Sequence, residues 1–221
     1  ATGHYAKIEK GEDGKYILRA SEAVKKDQSY VLYNFTQEQL AHTLMPLGGY
    51  NKDWVRQKAE ELGLGVAHKP DSQEICFVED DDYAKFITDY SGYKPKEGDI
   101  LDVNGNVIGK HRGLIYYTIG QRKGIGAYGR PMFVMKIDAE NNTITLGEKG
   151  MEFSNELTAY DVNFVSGEFP KENMLITAKV RYQAPPAAAM LCPQKDGTVK
   201  LMFPEPQRAV TPGQAVVFYD G

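Results

Sequence analysis

Cysteine is scarce in this sequence: 221 residues hold two, Cys76 and Cys192. Two thiols so far apart argue against a disulfide framework, and without a Cys-x-x-Cys spacing the usual zinc signature is missing. No metal site is therefore expected. No apolar run approaches the ~20 residues of a membrane-spanning helix, and no basic-then-apolar leader is present. The expected setting is cytoplasmic, with no membrane partner. Acidic residues are missing from Val103 to Ile137, a stretch that carries Lys110, Arg112, Arg122, Lys123, Arg130 and Lys136 among Tyr116, Tyr117, Tyr128 and many glycines. In a chain of formal net charge -4 this is a basic island. Cations interleaved with aromatics and flexible glycines suit an RNA backbone; the alternative is a basic loop face balanced by acids such as Asp80 to Asp82.

The length allows one large domain or two to three small ones. The chain opens Ala1-Thr2-Gly3-His4-Tyr5 without a methionine and closes directly after the apolar run Ala215 to Phe218. Both ends read as cut through structure, so a longer protein is expected on at least the N-terminal side.

The chain is organised around Asp71-Ser72-Gln73-Glu74-Ile75-Cys76-Phe77. A single cysteine beside Ile and Phe is commonly a small buried hydrophobe. The polar run to its left is loop chemistry, however, which places the thiol at a loop-to-strand junction where function collects. Cys192, between Leu191 and Pro193 in a strand-like run, reads as packing.

In chain order, Thr2 to Ala6 reads as a strand end entering a turn, with Gly3 able to admit a backbone or a phosphate. Lys15 to Ala20 follows Gly11-Glu12-Asp13-Gly14 as the second arm of a hairpin. The polar cluster Lys25 to Tyr30 is either a solvated helix start or a set of donors facing phosphates. Thr36 to Gln39 fits a capping box, with Leu40, Leu44 and Leu47 on one helix face and Gly48-Gly49 as the stop. Asn51 caps a second helix whose buried stripe is Trp54, Val55, Ala59 and Leu62, ended by Gly63. Val66 to His68 is a short strand or a link. A third helix follows Asp80 to Asp82, with Tyr83, Phe86, Ile87 and Tyr90 inward. Asn104-Gly105 centres a hairpin from Gly98 to Gly109. Asp138 to Thr143 turns between strands at Met132 to Ile137 and Ile144 to Leu146. Strands at Leu157 to Val165, Met174 to Tyr182, Ala187 to Cys192, Thr198 to Phe203 and Gln214 to Tyr219 then point to a small barrel. Arg181-Tyr182, before Gln183-Ala184-Pro185-Pro186, sets a cation and an aromatic at a loop mouth.

Thr2-Gly3-His4-Tyr5-Ala6, Lys26-Asp27-Gln28-Ser29-Tyr30, Asp71-Ser72 with Ile75-Cys76-Phe77, Thr118 to Gly124, Arg181-Tyr182 and Thr211-Pro212-Gly213-Gln214 stand in an order that resembles the tRNA-specific 2-thiouridylases (tRNA-uridine 2-sulfurtransferases). The resemblance runs over essentially the whole chain. It implies a multidomain α/β plus β fold: residues 1-87 as the C-terminal part of a PP-loop ATP pyrophosphatase (Rossmann-like) domain, 88-147 as a small mixed central domain, basic and tRNA-contacting, and 148-221 as a C-terminal β-barrel. The family's Ser-Gly-Gly-x-Asp-Ser loop and its first catalytic cysteine are not among these residues, so this chain alone is expected to be inactive.

By the same resemblance, the complete enzyme uses ATP and Mg2+ to adenylate the 2-oxygen of the wobble uridine, and a persulfide on the cysteine matched by Cys76 supplies the sulfur. A persulfide's outer sulfur ionises easily and is strongly nucleophilic. The other cysteine then releases the product as a disulfide forms, to be reset by a reductant. Gly3 matches the ATP position; His4, Lys26, Asp27, Gln28, Arg181, Tyr182 and Gln214 match tRNA-contacting positions. Asp71, Ser72, Arg122 and Lys123 are read as supporting. The implied partners are tRNA and a sulfur donor, a cysteine desulfurase or relay protein. A tRNA-binding module without catalysis and a different PP-loop tRNA thiolase are the alternatives.

Overall fold

In a computed structural model of the chain, the described residues are 1–22, 26–68, 78 and 82–220. Their contacts form two compact units, Ala1–Pro70 with Glu156–Pro204 and Ala215–Gly221, and Asp71–Asn155 with Glu205–Gln214. Cys76, Asp71 and Ser72 lie outside the described residues.

The first unit begins with a hairpin in which β1 (Ala6–Lys10) pairs antiparallel with β2 (Tyr16–Ala20). The expected second arm is present, but residues 2–5 lead into a strand rather than out of one. Ala6 is fully buried and forms a small core with Leu32 and Met45, against which Ile8, Leu18 and Phe35 pack. α1 (Gln37–Ala41) starts at the full capping box of Thr36 and Gln39. It stops after five residues instead of running to Gly48. Pro46 has no N–H for a helical ladder and disfavours helical backbone at Met45, and Leu44 is 70 % exposed. Gly48 has another job: a Cβ there would stand 2.0 Å from the Ala6 carbonyl oxygen.

α2 (Lys52–Glu61) is capped as expected by Asn51, whose side chain accepts from Trp54 N. Its expected buried stripe is absent: no α2 residue is buried, and Trp54 stacks on exposed Tyr50 at 3.9 Å between centroids. Local periodicity gave the helix, and burial needed a neighbour that the described residues do not provide. Val66 to His68 forms a turn, not a strand.

In the second unit, α3 (Tyr83–Ser91) is capped by Asp82, which accepts from Lys85 N, and ends at left-handed Gly92. Of its residues Ala84 is buried, whereas Tyr90, expected inward, is 84 % exposed. β3 (Gly98–Leu101), β4 (Val107–His111), β5 (Met132–Asp138) and β6 (Thr143–Glu148) follow in the sheet order β4-β3-β6-β5, with β3 parallel to β6 and the other pairs antiparallel. The Asn104-Gly105 turn forms as read: Asp102 accepts from Asn104 N and Asn106 N, and Gly105 takes φ 86°. Ile100, Tyr117, Ile125, Met132, Val134, Ile144 and Leu146 make the core. His111 is buried at its edge, Nδ1 accepting from Gly113 N and Nε2 standing 2.9 Å from Asn142 O, an arrangement that puts the proton on Nε2.

The chain continues through β7 (Phe153–Ala159), β8 (Met174–Lys179), β9 (Ala187–Pro193), β10 (Val199–Arg208) and β11 (Val217–Tyr219). These form a five-stranded sheet in the order β11-β8-β9-β10-β7. Period-two alternation buries Ile176 and Ala178, Ala189 and Leu191, then Val199, Leu201 and Phe203. Cys192, in β9 opposite Lys200, is half-buried and in no disulfide. The whole is a multidomain α/β plus β architecture. Among the described residues no helix is long and apolar enough to cross a membrane.

Candidate nucleic-acid interface

Within the first unit, the N-terminal segment is tied to loops of the C-terminal part by polar side chains. Gln37 Nε2 donates to Tyr16 O at 2.7 Å and to Val165 O at 2.6 Å, and its Oε1 accepts from Tyr16 N at 2.7 Å. Asn163 Nδ2 donates to the carbonyls of Tyr33 and Phe35, and Tyr30 OH to that of Ala215 at 2.7 Å. These bonds bring Lys26-Asp27-Gln28 against the segment of Arg181-Tyr182.

Asp27 is the keystone of that meeting. Its Oδ1 accepts from Ser21 N at 2.9 Å and Ser29 N at 3.2 Å, and its Oδ2 accepts from the Ser29 hydroxyl at 2.7 Å. Its carbonyl accepts from Tyr182 OH at 3.4 Å. Gln28 Oε1 accepts from Tyr5 N at 3.0 Å and Gln28 N donates to Tyr5 O at 2.8 Å, which fixes the strand-entry residues beside His4. Ring nitrogen Nδ1 of His4 lies 2.8 Å from the Thr2 hydroxyl. The acceptors of Asp27 and Gln28 are thus spent inside the fold, and Lys26 is the exposed member of the three.

Aromatic rings and cations gather around this segment. Tyr30 meets Tyr182 edge-on at 5.7 Å, and Lys179 Nζ stands 5.8 Å and 5.6 Å from the two ring centroids. Burial pushes the Tyr5 hydroxyl above its ordinary range, against the pull of Lys26 and Arg56. Lys52 is lowered by burial and by repulsion from Lys26 and Arg56. Lys52 and Arg56, four apart on α2, share one helix face; the sequence reading passed over both, although that spacing was there to be seen. Burial also raises Tyr219, which is hydrogen-bonded to Ser29. Among the described residues no carboxylate pairs with Arg181. The result is a positively charged surface edged with tyrosines, which can hold a sugar–phosphate backbone and stack a base.

Gly3 is exposed, and a Cβ would find only Leu47, 3.9 Å away, so no close protein contact demands glycine there. Gln214 is exposed and belongs to the second unit. So does the basic island, whose charges are largely spoken for. Arg130 pairs with Glu148 at 2.7 Å and Lys136 with Asp138 at 3.2 Å. Lys110 lies 2.5 Å from Asp99, a charge contact without hydrogen-bond alignment. Arg112 lies over the Tyr116 ring at 4.1 Å. Arg122 and Lys123 remain without an ion pair among the described residues. Of the balancing acids named from sequence, Asp80 and Asp81 lie outside the described residues and Asp82 caps α3 instead; those observed are Asp99, Asp138 and Glu148.

Gln121 is the residue that sequence reasoning missed in this loop. Its Oε1 accepts from Thr118 N at 2.8 Å, while its Nε2 donates to Lys123 O at 2.8 Å and Tyr116 O at 3.3 Å. Gly120 N and Gln121 O bracket Val134. One amide thereby shapes the turn that presents Arg122.

A hairpin-and-helix segment, a four-stranded mixed sheet and a five-stranded β-sheet define a multidomain α/β plus β protein. Three family models match in sequence order: the tRNA methyl transferase HUP domain over residues 1–80, the tRNA methyl transferase PRC-barrel domain over 84–148 and the aminomethyltransferase beta-barrel domain over 154–221. The chain is 57 % identical over 223 residues to a tRNA-specific 2-thiouridylase of Acetivibrio thermocellus, covering 100 % of this chain and 62 % of that protein. It is 54 % identical to one of Clostridioides difficile, with the same coverage, and 52 % identical to one of Thermoanaerobacter sp., covering 61 % of it. The chain belongs to the tRNA-specific 2-thiouridylase family, and it spans about three-fifths of the length of these relatives.

Proposed function

We propose that this chain supplies the tRNA-holding surface and the sulfur-carrying cysteine of a tRNA-uridine 2-sulfurtransferase, which thiolates the wobble uridine at its 2-position. The observation that carries the reading is the surface around Lys26, where cations and tyrosines from both ends of the sequence converge. Lys26, Arg181 and Lys179 hold backbone phosphates, and Tyr182 offers a ring for stacking. Asp27 and Gln28 act as positioning residues, since their acceptors hold Ser21, Ser29 and Tyr5. His4 and Gln214 are assigned to the same substrate.

Cys76 carries the incoming sulfur as a persulfide, received from a cysteine desulfurase or relay protein. The outer sulfur of that persulfide attacks the 2-carbon of the uridine ring and the oxygen there leaves; a second cysteine thiolate of the complete enzyme then attacks Cys76 Sγ, which breaks the S–S bond, frees the thiolated uridine and leaves a disulfide for a thiol reductant to reset. ATP with magnesium supplies the activation that makes this oxygen a leaving group. Gly3, the one residue assigned to ATP, is a single exposed glycine, and among the described residues no group of three or more His, Cys, Asp or Glu gathers to hold a metal. The cytoplasm is the proposed location.

The test is sulfur mapping. The chain is incubated with a cysteine desulfurase and free cysteine, its thiols and persulfides are alkylated, and peptides are read by mass spectrometry. Added sulfur on Cys76 and not on Cys192 is expected. Sulfur on neither, with tRNA binding intact in wild type and in Cys76→Ala, would leave the chain a tRNA-binding module without catalysis.

A further inference from the structure

The loop that Gln121 shapes borders an open cavity of about 340 Å³, lined by Arg122, Ile125, Gly126, Tyr128, Gly129 and Met132 among others. Its size falls at the lower end of ligand sites, roughly 300–1,000 Å³. Ile125 and Met132 are buried and form an apolar floor with the half-buried Tyr128 ring. Gly126 and Gly129, two of its lining residues, take φ 98° and 70°, a backbone that glycine adopts freely. Arg122, at the rim, has no carboxylate partner among the described residues, whereas Arg130 is held by Glu148. An apolar floor and a rim cation without a carboxylate partner are parts of a nucleotide site.

We infer that this cavity seats one nucleotide of the bound RNA, its phosphate held by Arg122 and its sugar or base against Ile125, Tyr128 and Met132. The inference rests on the tRNA reading above and adds a point of contact at the Arg122 loop of the second unit.

The experiment measures tRNA affinity of the chain from 0.05 to 0.5 M salt for wild type, Arg122→Ala, Lys26→Ala with Arg181→Ala, and the charge control Lys195→Ala in the β9–β10 turn. One lost phosphate contact lowers the log–log salt slope by about 0.7–0.9, which is about five- to eightfold weaker binding at 0.1 M salt. Arg122→Ala is expected to show that loss, with Lys195→Ala unchanged. Equal slopes for Arg122→Ala and wild type, with binding weakened by Lys26→Ala and Arg181→Ala, overturn this inference alone. Absence of salt-dependent binding by wild type overturns the tRNA reading and the inference with it. Amide shifts at residues 122–130 are followed in parallel. Shifts driven by inorganic phosphate or a nucleoside monophosphate, with an unchanged Arg122→Ala slope, would assign the cavity to a free phosphate and overturn the RNA source.

Discussion

Asp27→Ala separates a positioning role from a charge role, because the two predict opposite signs. The substitution removes three hydrogen bonds to a carboxylate, from Ser21 N, Ser29 N and the Ser29 hydroxyl. Ser21 and Ser29 are 5 % and 3 % exposed, so water does not readily replace the lost acceptor. A hydrogen bond to a charged group contributes about 1.5–3 kcal/mol, and such losses are not additive within one cluster. The expected destabilisation is therefore about 2–4 kcal/mol, a large share of the roughly 5–15 kcal/mol of a typical domain. For a chain of this length that lowers Tm by about 5–15 °C. Asp27→Asn keeps an oxygen for the two N–H donors and loses the charge, at a cost of about 1 kcal/mol. Urea unfolding gives these differences. If Asp27 acted through its charge, its removal beside Lys26 would tighten tRNA binding; positioning predicts weaker binding. A variant within 0.5 kcal/mol of wild type that binds tRNA more tightly would refute the reasoning.

Gly98→Ala would place a Cβ 2.0 Å from Asn142 O and 2.5 Å from His111 Nε2, neither of which can move without breaking their mutual bond, so a loss of about 3 kcal/mol or more is expected in thermal unfolding. Gln121→Glu sets a carboxylate oxygen against the carbonyls of Tyr116 and Lys123; the loop amides should shift in NMR spectra and stability should fall by about 1–3 kcal/mol, while Gln121 replaced without effect would deny it the shaping role. Asp138 is held down to about 2 from 3.8 by hydrogen bonds from Asn141 and Lys136. A depressed carboxylate stabilises above its unfolded value and loses that contribution as pH falls from about 4 through 2. Asp138→Asn should accordingly flatten stability against pH in that window, and an unchanged profile would count against the turn's contribution.

Much of the fold was legible because its signals are local. Thr36 with Gln39, Asn51, Asp82 and Asn104-Gly105 each satisfy backbone groups within a few residues, and each forms as read. Where burial decided, the reading failed: the leucine spacing from 40 to 47 ignored Pro46, and the apolar stripe of α2 implied a neighbour that local periodicity cannot supply. The basic island was visible as a run, yet its neutralisation by Asp99 and Glu148 depends on strand register, and Asp138 lies one residue past the run's end in the same strand as Lys136. The polar run Lys26-Asp27-Gln28 reads equally as three ligand contacts or as one contact on two supports, and only the hydrogen bonds to Ser21, Ser29 and Tyr5 distinguish them. Lys52, Arg56 and Gln121 carried faint signals, a helical i,i+4 pair and a motif position overshadowed by the adjacent cations.

The most direct measurement is the salt dependence of tRNA binding by the chain, wild type against Lys26→Ala with Arg181→Ala. Two lost phosphate contacts should lower the slope by about 1.4–1.8 while thermal unfolding stays near wild type. Identical slopes, or wild-type binding insensitive to salt, would contradict the assignment of this surface to tRNA.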